Sequence, residues 1–271
     1  MIAPFPKPHP FGVPCPRPRP KLERRPKGKP MTLLAGFRCA DGGILMCADR
    51  EESGDGTKRS VSKLKEWKSE DAHFICGVSG TTVVVANLYE RLGEEFQKHK
   101  GNLERSHKDI IGNVLRSIHK DFREFKEWEE VVIAAAFYRN VSIPVSSFLY
   151  GTIGSALEPV AEYACKGVGK DLARYFCHRL YEPWPGRRWA VLLAAFIFRE
   201  VEDHVESVGR GTDMKYLATQ QRKVWTVPHG YIRQLEATIP TLQDAIVGAW
   251  AKGIQIPEWL AADLYSGEQS T

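Results

Sequence analysis

No apolar run in this 271-residue sequence approaches the roughly 20 residues that span a bilayer. The longest apolar stretches, Trp189 to Phe198 and Val131 to Tyr138, suit buried elements instead. No secretory leader is expected either, because Pro and Arg stand where an apolar segment would be. The cytoplasm is the default location, and no membrane partner is expected. The six cysteines (Cys15, Cys39, Cys47, Cys76, Cys165, Cys177) form no CxxC pair and no zinc-type spacing with histidine. Cys47, Cys76 and Cys165 sit in apolar contexts, which reads as buried free thiols of a reducing compartment. A basic folded surface is missing as well. The formal net charge is +5, but residues 1–31 hold eight basic residues and one acid, so the rest of the chain carries −2. A nucleic-acid partner would rest on that tail alone, and none is expected.

What is present is globular. With 43% hydrophobic and 26% charged residues, the chain can bury one large core or two small ones. Residues 1–31 are rich in Pro and Arg and almost aperiodic, which predicts an unordered or PPII-like extension. Three readings of it stay open: a propeptide, a basic binding arm, or upstream sequence included by a start codon ahead of Met31. Patterned sequence then begins. Leu33 to Arg38 and Ile44 to Ala48 read as strands joined by the turn Asp41-Gly42-Gly43, whose glycines supply positive φ. Glu51 to Ser60 reads as a polar loop. Ser62 to Trp67 and His73 to Gly77 form a second strand pair.

A helix follows from about Thr82 to Lys98, with Val83, Ala86, Leu88, Leu92 and Phe96 as its apolar stripe. A second helix covers 106–125, with Ile110, Ile111, Val114, Leu115, Ile118 and Phe122 on one face and Ser106 as N-cap. Strands return at Val131 to Tyr138, Ser146 to Tyr150 and Val160 to Cys165. Gly167-Val168-Gly169 opens a third helix, about Lys170 to Leu180, and a fourth runs from about Arg188 to Val205. The last strands are Met214 to Ala218 and Lys223 to Thr226. Helices arriving in consecutive pairs argue against a doubly wound parallel sheet. They suit an α+β fold with antiparallel sheets between helix layers, a four-layer αββα sandwich. The boundaries follow: an extension at 1–31, a domain at 32–230 and a peripheral segment at 231–271.

Five pieces in order carry a resemblance: Thr32 with Gly36, Asp41-Gly42-Gly43, Ala48-Asp49, Lys63-Leu64 and Gly77-Val78-Ser79-Gly80. Together they resemble the opening of proteasome β-type subunits, which are Ntn hydrolases, and of the short bacterial proteasome-like (Anbu-like) subunits, which begin Met-Thr as Met31-Thr32 does. Gly167-Val168-Gly169 resembles the turn before the family's third helix. Ser207-Val208-Gly209 with Asp213 resembles its Ser-Gly stretch. The resemblance spans about residues 32–226. It implies amide-bond hydrolysis through an acyl-enzyme on Thr32, without metal or cofactor, by subunits that associate into rings. Peptide or protein is then the substrate, and ATPase or other proteasome-like subunits are partners.

Chemistry explains why such a set belongs together. A threonine hydroxyl needs a base, and the α-amino group of an N-terminal Thr has a pKa near 7.7–8.0, close to working pH. A neighbouring ammonium lowers both pKa values, and Lys63 supplies one, held charged by Asp49. A backbone N–H at Gly80 would stabilise the oxyanion. The resemblance further implies that Ser207 orients the amine, with Asp203 a weaker candidate because its offset is wrong by one residue, the matching position being His204. It also implies that Glu52, Ser53 and Val78 line the pocket for the residue before the scissile bond. Val78 there suggests a medium apolar side chain and Glu52 a basic one.

The pattern departs from the family at four points. Val168 stands where a serine usually contacts the Thr amine. The hairpin has one extra residue. Met31, not Gly, precedes Thr32. Thr32 is internal as written, and an amide nitrogen is no base. Singly, Thr32 reads as a strand residue, Asp49-Arg50 as a solvated strand end, Lys63 as one lysine among Lys58, Lys65 and Lys68, and Ser207 as a turn serine. The alternatives to a threonine peptidase are a non-catalytic ring subunit and an Ntn amidase acting on a small molecule.

Overall fold

A computed structural model describes residues 32–54, 57–123, 130–138, 146–183, 185–206 and 208–239. The extension 1–31, most of the segment 231–271 and Ser207 lie outside them. Twelve strands and four helices, besides the helical residues 229–239, occur among the described residues, in the α+β class expected. β1 (Leu33–Arg38) turns into β2 (Ile44–Asp49), and Gly43 N–H closes the turn on Asp41 Oδ1 at 3.1 Å. β3 (Glu51–Gly54) and β4 (Thr57–Ser60) form a separate two-stranded ribbon. The described residues of the polar loop expected at Glu51 to Ser60 are therefore an antiparallel strand pair. Its ladder uses backbone groups that polar side chains do not forbid. β5 (Leu64–Lys68) and β6 (Ala72–Ser79) follow, then α1 (Thr82–Lys98) and α2 (Leu103–Asp121).

β7 (Glu130–Phe137), β8 (Ser146–Ile153), β9 (Ala156–Val160) and β10 (Tyr163–Gly167) lead to α3 (Lys170–Leu180) and α4 (Arg187–His204). β11 (Thr212–Ala218) and β12 (Lys223–Thr226) complete the strands, and residues 229–239 are helical. The two main sheets are antiparallel, ordered β10-β1-β2-β11-β12 and β5-β6-β7-β8-β9. The single strand expected over Val160 to Cys165 is thus the end of one edge strand and the start of another, in different sheets. The chain crosses between the sheets there, and apolar patterning carries no label for which sheet a residue joins.

Alternation along the strands sorts side chains into three cores. Leu33, Ala35, Phe37, Leu45 and Cys47 pack with residues of α3 and α4. Leu34, Ile44, Met46 and Ala48 face Ile75, Val132, Ala134 and Leu149 of the other sheet. Phe74, Cys76, Val131, Ile133 and Phe137 pack with α1 and α2. Central strands buried on both faces need near-continuous apolar runs, which these have. Glycine sets the spacing where the sheets meet. A Cβ on Gly36 would lie 2.7 Å from Leu149 Cδ1, and one on Gly77 2.8 Å from Leu34 Cδ2.

Two helix details differ from expectation. The inward face of α1 is Val84, Leu88, Leu92 and Phe96, while Val83 is exposed at 51% and Ala86 is also outside. Three consecutive valines leave the phase of the stripe undetermined, and the Phe96 ring stacked on Phe74 at 4.2 Å settles it. α2 starts at Leu103, so Ser106 is not its N-cap; its hydroxyl instead donates to the Asn102 carbonyl at 2.8 Å. That bond within the first turn is the usual alternative for a helical serine.

Candidate functional site

The ends of β1, β2 and β6 and the turn from β10 into α3 meet at one edge of the sheets. Thr32 immediately precedes β1 and is 5% exposed. Its carbonyl accepts the Val168 N–H at 2.9 Å and the Ser79 hydroxyl at 3.4 Å. Asp49 closes β2 and is buried. Its Oδ1 accepts from Leu33 N–H at 2.8 Å and its Oδ2 from Glu51 N–H at 3.0 Å. Lys63 Nζ donates to both oxygens, at 3.1 and 2.9 Å, and to the Glu51 carbonyl at 2.5 Å. An ammonium has three protons, and these three acceptors match them. The carboxylate therefore ties the start of β1, the start of β3 and the Lys63 side chain into one unit.

Burial pushes the Asp49 carboxyl up to about 6, against the opposing pull of Lys63 and the two backbone N–H groups. Tyr89 of α1 holds the backbone beneath Lys63. Its hydroxyl donates to the Lys63 carbonyl at 2.7 Å and accepts the Val78 N–H at 3.0 Å. Burial pushes the Tyr89 phenol well above its ordinary range, so it remains a donor. The sequence held no signal for Tyr89, because the contact joins a helix face to two strands across the fold.

The remaining sequence candidates divide. Gly80 links β6 to α1 and is half-buried. Glu52 Oε1 accepts the hydroxyl of Thr82, the first residue of α1, at 3.0 Å, which places β3 beside Gly80. Val78 is 2% exposed and packs in the core beneath α1 and α2. Ser53 lies in β3 opposite Lys58. Ser207 falls outside the described residues, but its neighbourhood is anchored: Arg50 N–H donates to the Gly209 and Gly211 carbonyls at 3.2 and 3.0 Å. Asp203 is not brought to the site. It is exposed on α4, paired with Arg199 at 2.9 Å one helical turn away.

Two further groups flank the site, one around Asp213, which the resemblance had included, and one around Glu130, which nothing in the sequence had marked. Arg50 Nη1 donates to Asp213 Oδ1 at 2.7 Å and meets His229 Nε2 at 2.7 Å. Asp213 is buried and tied to the strand next to β2, which fastens the 229–239 helix to the end of β2. Glu130, at the start of β7, accepts from Gly167 N–H through Oε2 and from Lys170 Nζ at 2.5 Å through Oε1. A glutamate ahead of an apolar strand carries no spacing signal, so only the tertiary contact reveals it. Among the described residues, no group of three or more His, Cys, Asp or Glu converges as metal ligands. Among them, too, no helix is long and apolar enough to cross a membrane.

The arrangement sets the Lys63 ammonium and the buried Asp49 carboxylate at the start of β1, next to Thr32. A cation lowers the pKa of a neighbouring hydroxyl or amine, and a carboxylate opposes that effect. Neither a protein-family model nor a curated protein matches the chain. Solved structures do resemble it. An Anbu Gly-1 mutant from Hyphomicrobium sp. strain MC1 aligns with a TM-score of 0.67 at 16% identity, covering 83% of this chain and 99% of that one. Anbu, the ancestral beta-subunit, from Yersinia bercovieri aligns with a TM-score of 0.66 at 13% identity, over 83% and 99%. The Anbu complex of Pseudomonas aeruginosa, which forms a helical assembly, aligns with a TM-score of 0.65 at 12% identity, over 83% and 98%. The fold is therefore Anbu-like.

Proposed function

We propose that this chain is a proteasome-type threonine peptidase that cleaves peptide bonds through an acyl-enzyme on Thr32. The observation that carries the reading is the Asp49 carboxylate, which holds both the Leu33 N–H and the Lys63 ammonium beneath the start of β1. In this reading Thr32 is the N-terminal residue of the active form, reached by a start at Met31 with Met removal or by cleavage of the extension. Its hydroxyl attacks the scissile carbonyl, its amine takes the proton and passes it to the leaving amine as the C–N bond breaks, and water then hydrolyses the acyl-enzyme. Lys63 keeps that amine neutral by like-charge repulsion, Asp49 keeps Lys63 charged, and Gly80 N–H receives the oxyanion. Ser207 orients the amine, and Glu52, Ser53 and Val78 shape the pocket before the scissile bond. The helix pairs against the two sheets fit a four-layer αββα sandwich of the Ntn-hydrolase type. The domain then runs over 32–230.

Assembly into rings or a related array belongs to the same reading. It is supported by Tyr175, Leu180 and Trp189, exposed on α3 and α4 at 57, 40 and 42%. Confinement of the site inside an assembly would protect other proteins from it.

A second reading, a non-catalytic subunit of such an assembly, is favoured by Val168. It offers its N–H to the Thr32 carbonyl but no side-chain hydroxyl to the site. Intact mass and N-terminal sequencing of the natively purified protein, before and after a β-lactone probe, separate the two. A mature start at Thr32 with adduct on that residue is the outcome expected of the peptidase. A chain that begins elsewhere and takes no label leaves the structural subunit as the account.

A further inference from the structure

The turn between β10 and α3 has two glycines in the left-handed region, Gly167 at φ 86° and Gly169 at φ 81°. Such a turn is costly to hold still, because glycine has the most backbone freedom to lose. It is nevertheless pressed against the start of β1. A Cβ on Gly167 would lie 1.8 Å from the Thr32 carbonyl oxygen, and Val168 N–H bonds that oxygen at 2.9 Å. The β1–β10 ladder reaches Gly167 and leaves its N–H to a side chain outside the turn.

We propose that Glu130, bridging Gly167 N–H and Lys170 Nζ, is a positioning residue that locks this turn and thereby the carbonyl of Thr32. Its two carboxylate oxygens take two donors three residues apart, one on each side of Val168. Glu130 also stands opposite Ser79 in the β6–β7 ladder, and the Ser79 hydroxyl reaches the same Thr32 carbonyl. Strands of one sheet thus hold a residue at the edge of the other. A surface ion pair alone would do little, since Glu130 and Lys170 side chains are 27 and 33% exposed. The difference here is the charge-assisted bond to a backbone N–H, which has fixed geometry and restrains the main chain directly. The catalytic consequence rests on the reading of Thr32 as nucleophile, while the clamp itself does not.

The test uses the natively purified full protein and its Glu130→Ala and Glu130→Gln variants, with Lys98→Met at an exposed pair as control. Two readouts are taken. The first is hydrogen exchange of the Gly167 and Val168 amides. The second is inactivation by the β-lactone probe, resolved into a limiting rate and a half-saturating concentration. Glu130→Ala is expected to deprotect both amides and to lower the limiting rate by about 10²-fold, since a small misplacement of a reacting group has that effect. The half-saturating concentration and the thermal midpoint should not move. Glu130→Gln, which keeps an acceptor for Gly167 N–H, should recover most of both losses. Unchanged exchange at the two amides in Glu130→Ala overturns the clamp. Exchange raised equally throughout the protein overturns it too, as a general loss of stability. A wild-type protein that takes no label removes the Thr32 reading instead, and the exchange data alone then decide the clamp.

Discussion

Asp49 is where burial and pairing oppose one another most directly. Its carboxyl is raised to about 6 in the folded state, mainly by burial, from an unfolded value of about 3.9. The folded protein therefore binds the extra proton between those values. The stabilisation from this group is fully present below about pH 4 and is lost as pH rises through about 6, by about 3 kcal/mol in total. Unfolding free energies of wild type and Asp49→Asn, measured from pH 3 to 7, should show wild type losing about 3 kcal/mol relative to the variant. A difference that stays flat would show that Asp49 titrates normally. Thr32 labelling should run the other way and increase through about pH 6, because Lys63 has its anchoring carboxylate only above it. Asp49 and Lys63 were legible in the sequence because both sit at strand boundaries in a recognisable order. Tyr89 and Glu130 were not. Their partners lie in other elements, and nothing local marks a side chain that will bond a distant backbone.

Among the elements, the β10–α3 turn is the least tolerant piece of backbone described. Gly167 combines φ 86° with a Cβ position only 1.8 Å from a backbone oxygen, whereas Gly154 at φ 56° has open space around it. Gly154→Ala should cost about 1–2 kcal/mol, the ordinary penalty of a side chain in the left-handed region. Gly167→Ala should cost clearly more, because β1 or β10 must also shift. Denaturant unfolding of the pair measures this, and equal losses would mean that the turn can yield. Element type was readable wherever apolar periodicity was long: α2, α4 and β7 all follow it. It faltered at Val83-Val84-Val85, where three like residues leave the phase open. It faltered again at Val160 to Cys165, where one apolar stretch serves two sheets.

For the whole molecule, burial of every described thiol gives a test of integrity. Cys39, Cys47, Cys76, Cys165 and Cys177 are all buried and free. Burial pushes the thiols of Cys39 (to about 12), Cys47 and Cys76 up, so little reactive thiolate exists at neutral pH. Peptide mapping after treatment with a thiol reagent should find these five unmodified in the native protein and all modified in denaturant. Modification of one of them at low denaturant would expose a core that opens separately from the rest.

The charged pair at the ends of the early strands was reached only through a family resemblance, while the sequence by itself determined the α+β class, the helix pairs and most strand positions. Those follow from residue type and short-range spacing, which act before any tertiary contact. The tertiary structure decided which strands share a sheet, which helix face turns inward, how Glu130 braces the turn against the start of β1, how Tyr89 holds the Lys63 backbone, and how Arg50 fastens the end of β2. These depend on packing between segments far apart in the chain, where a residue's partner is chosen by shape and burial and leaves no periodic trace.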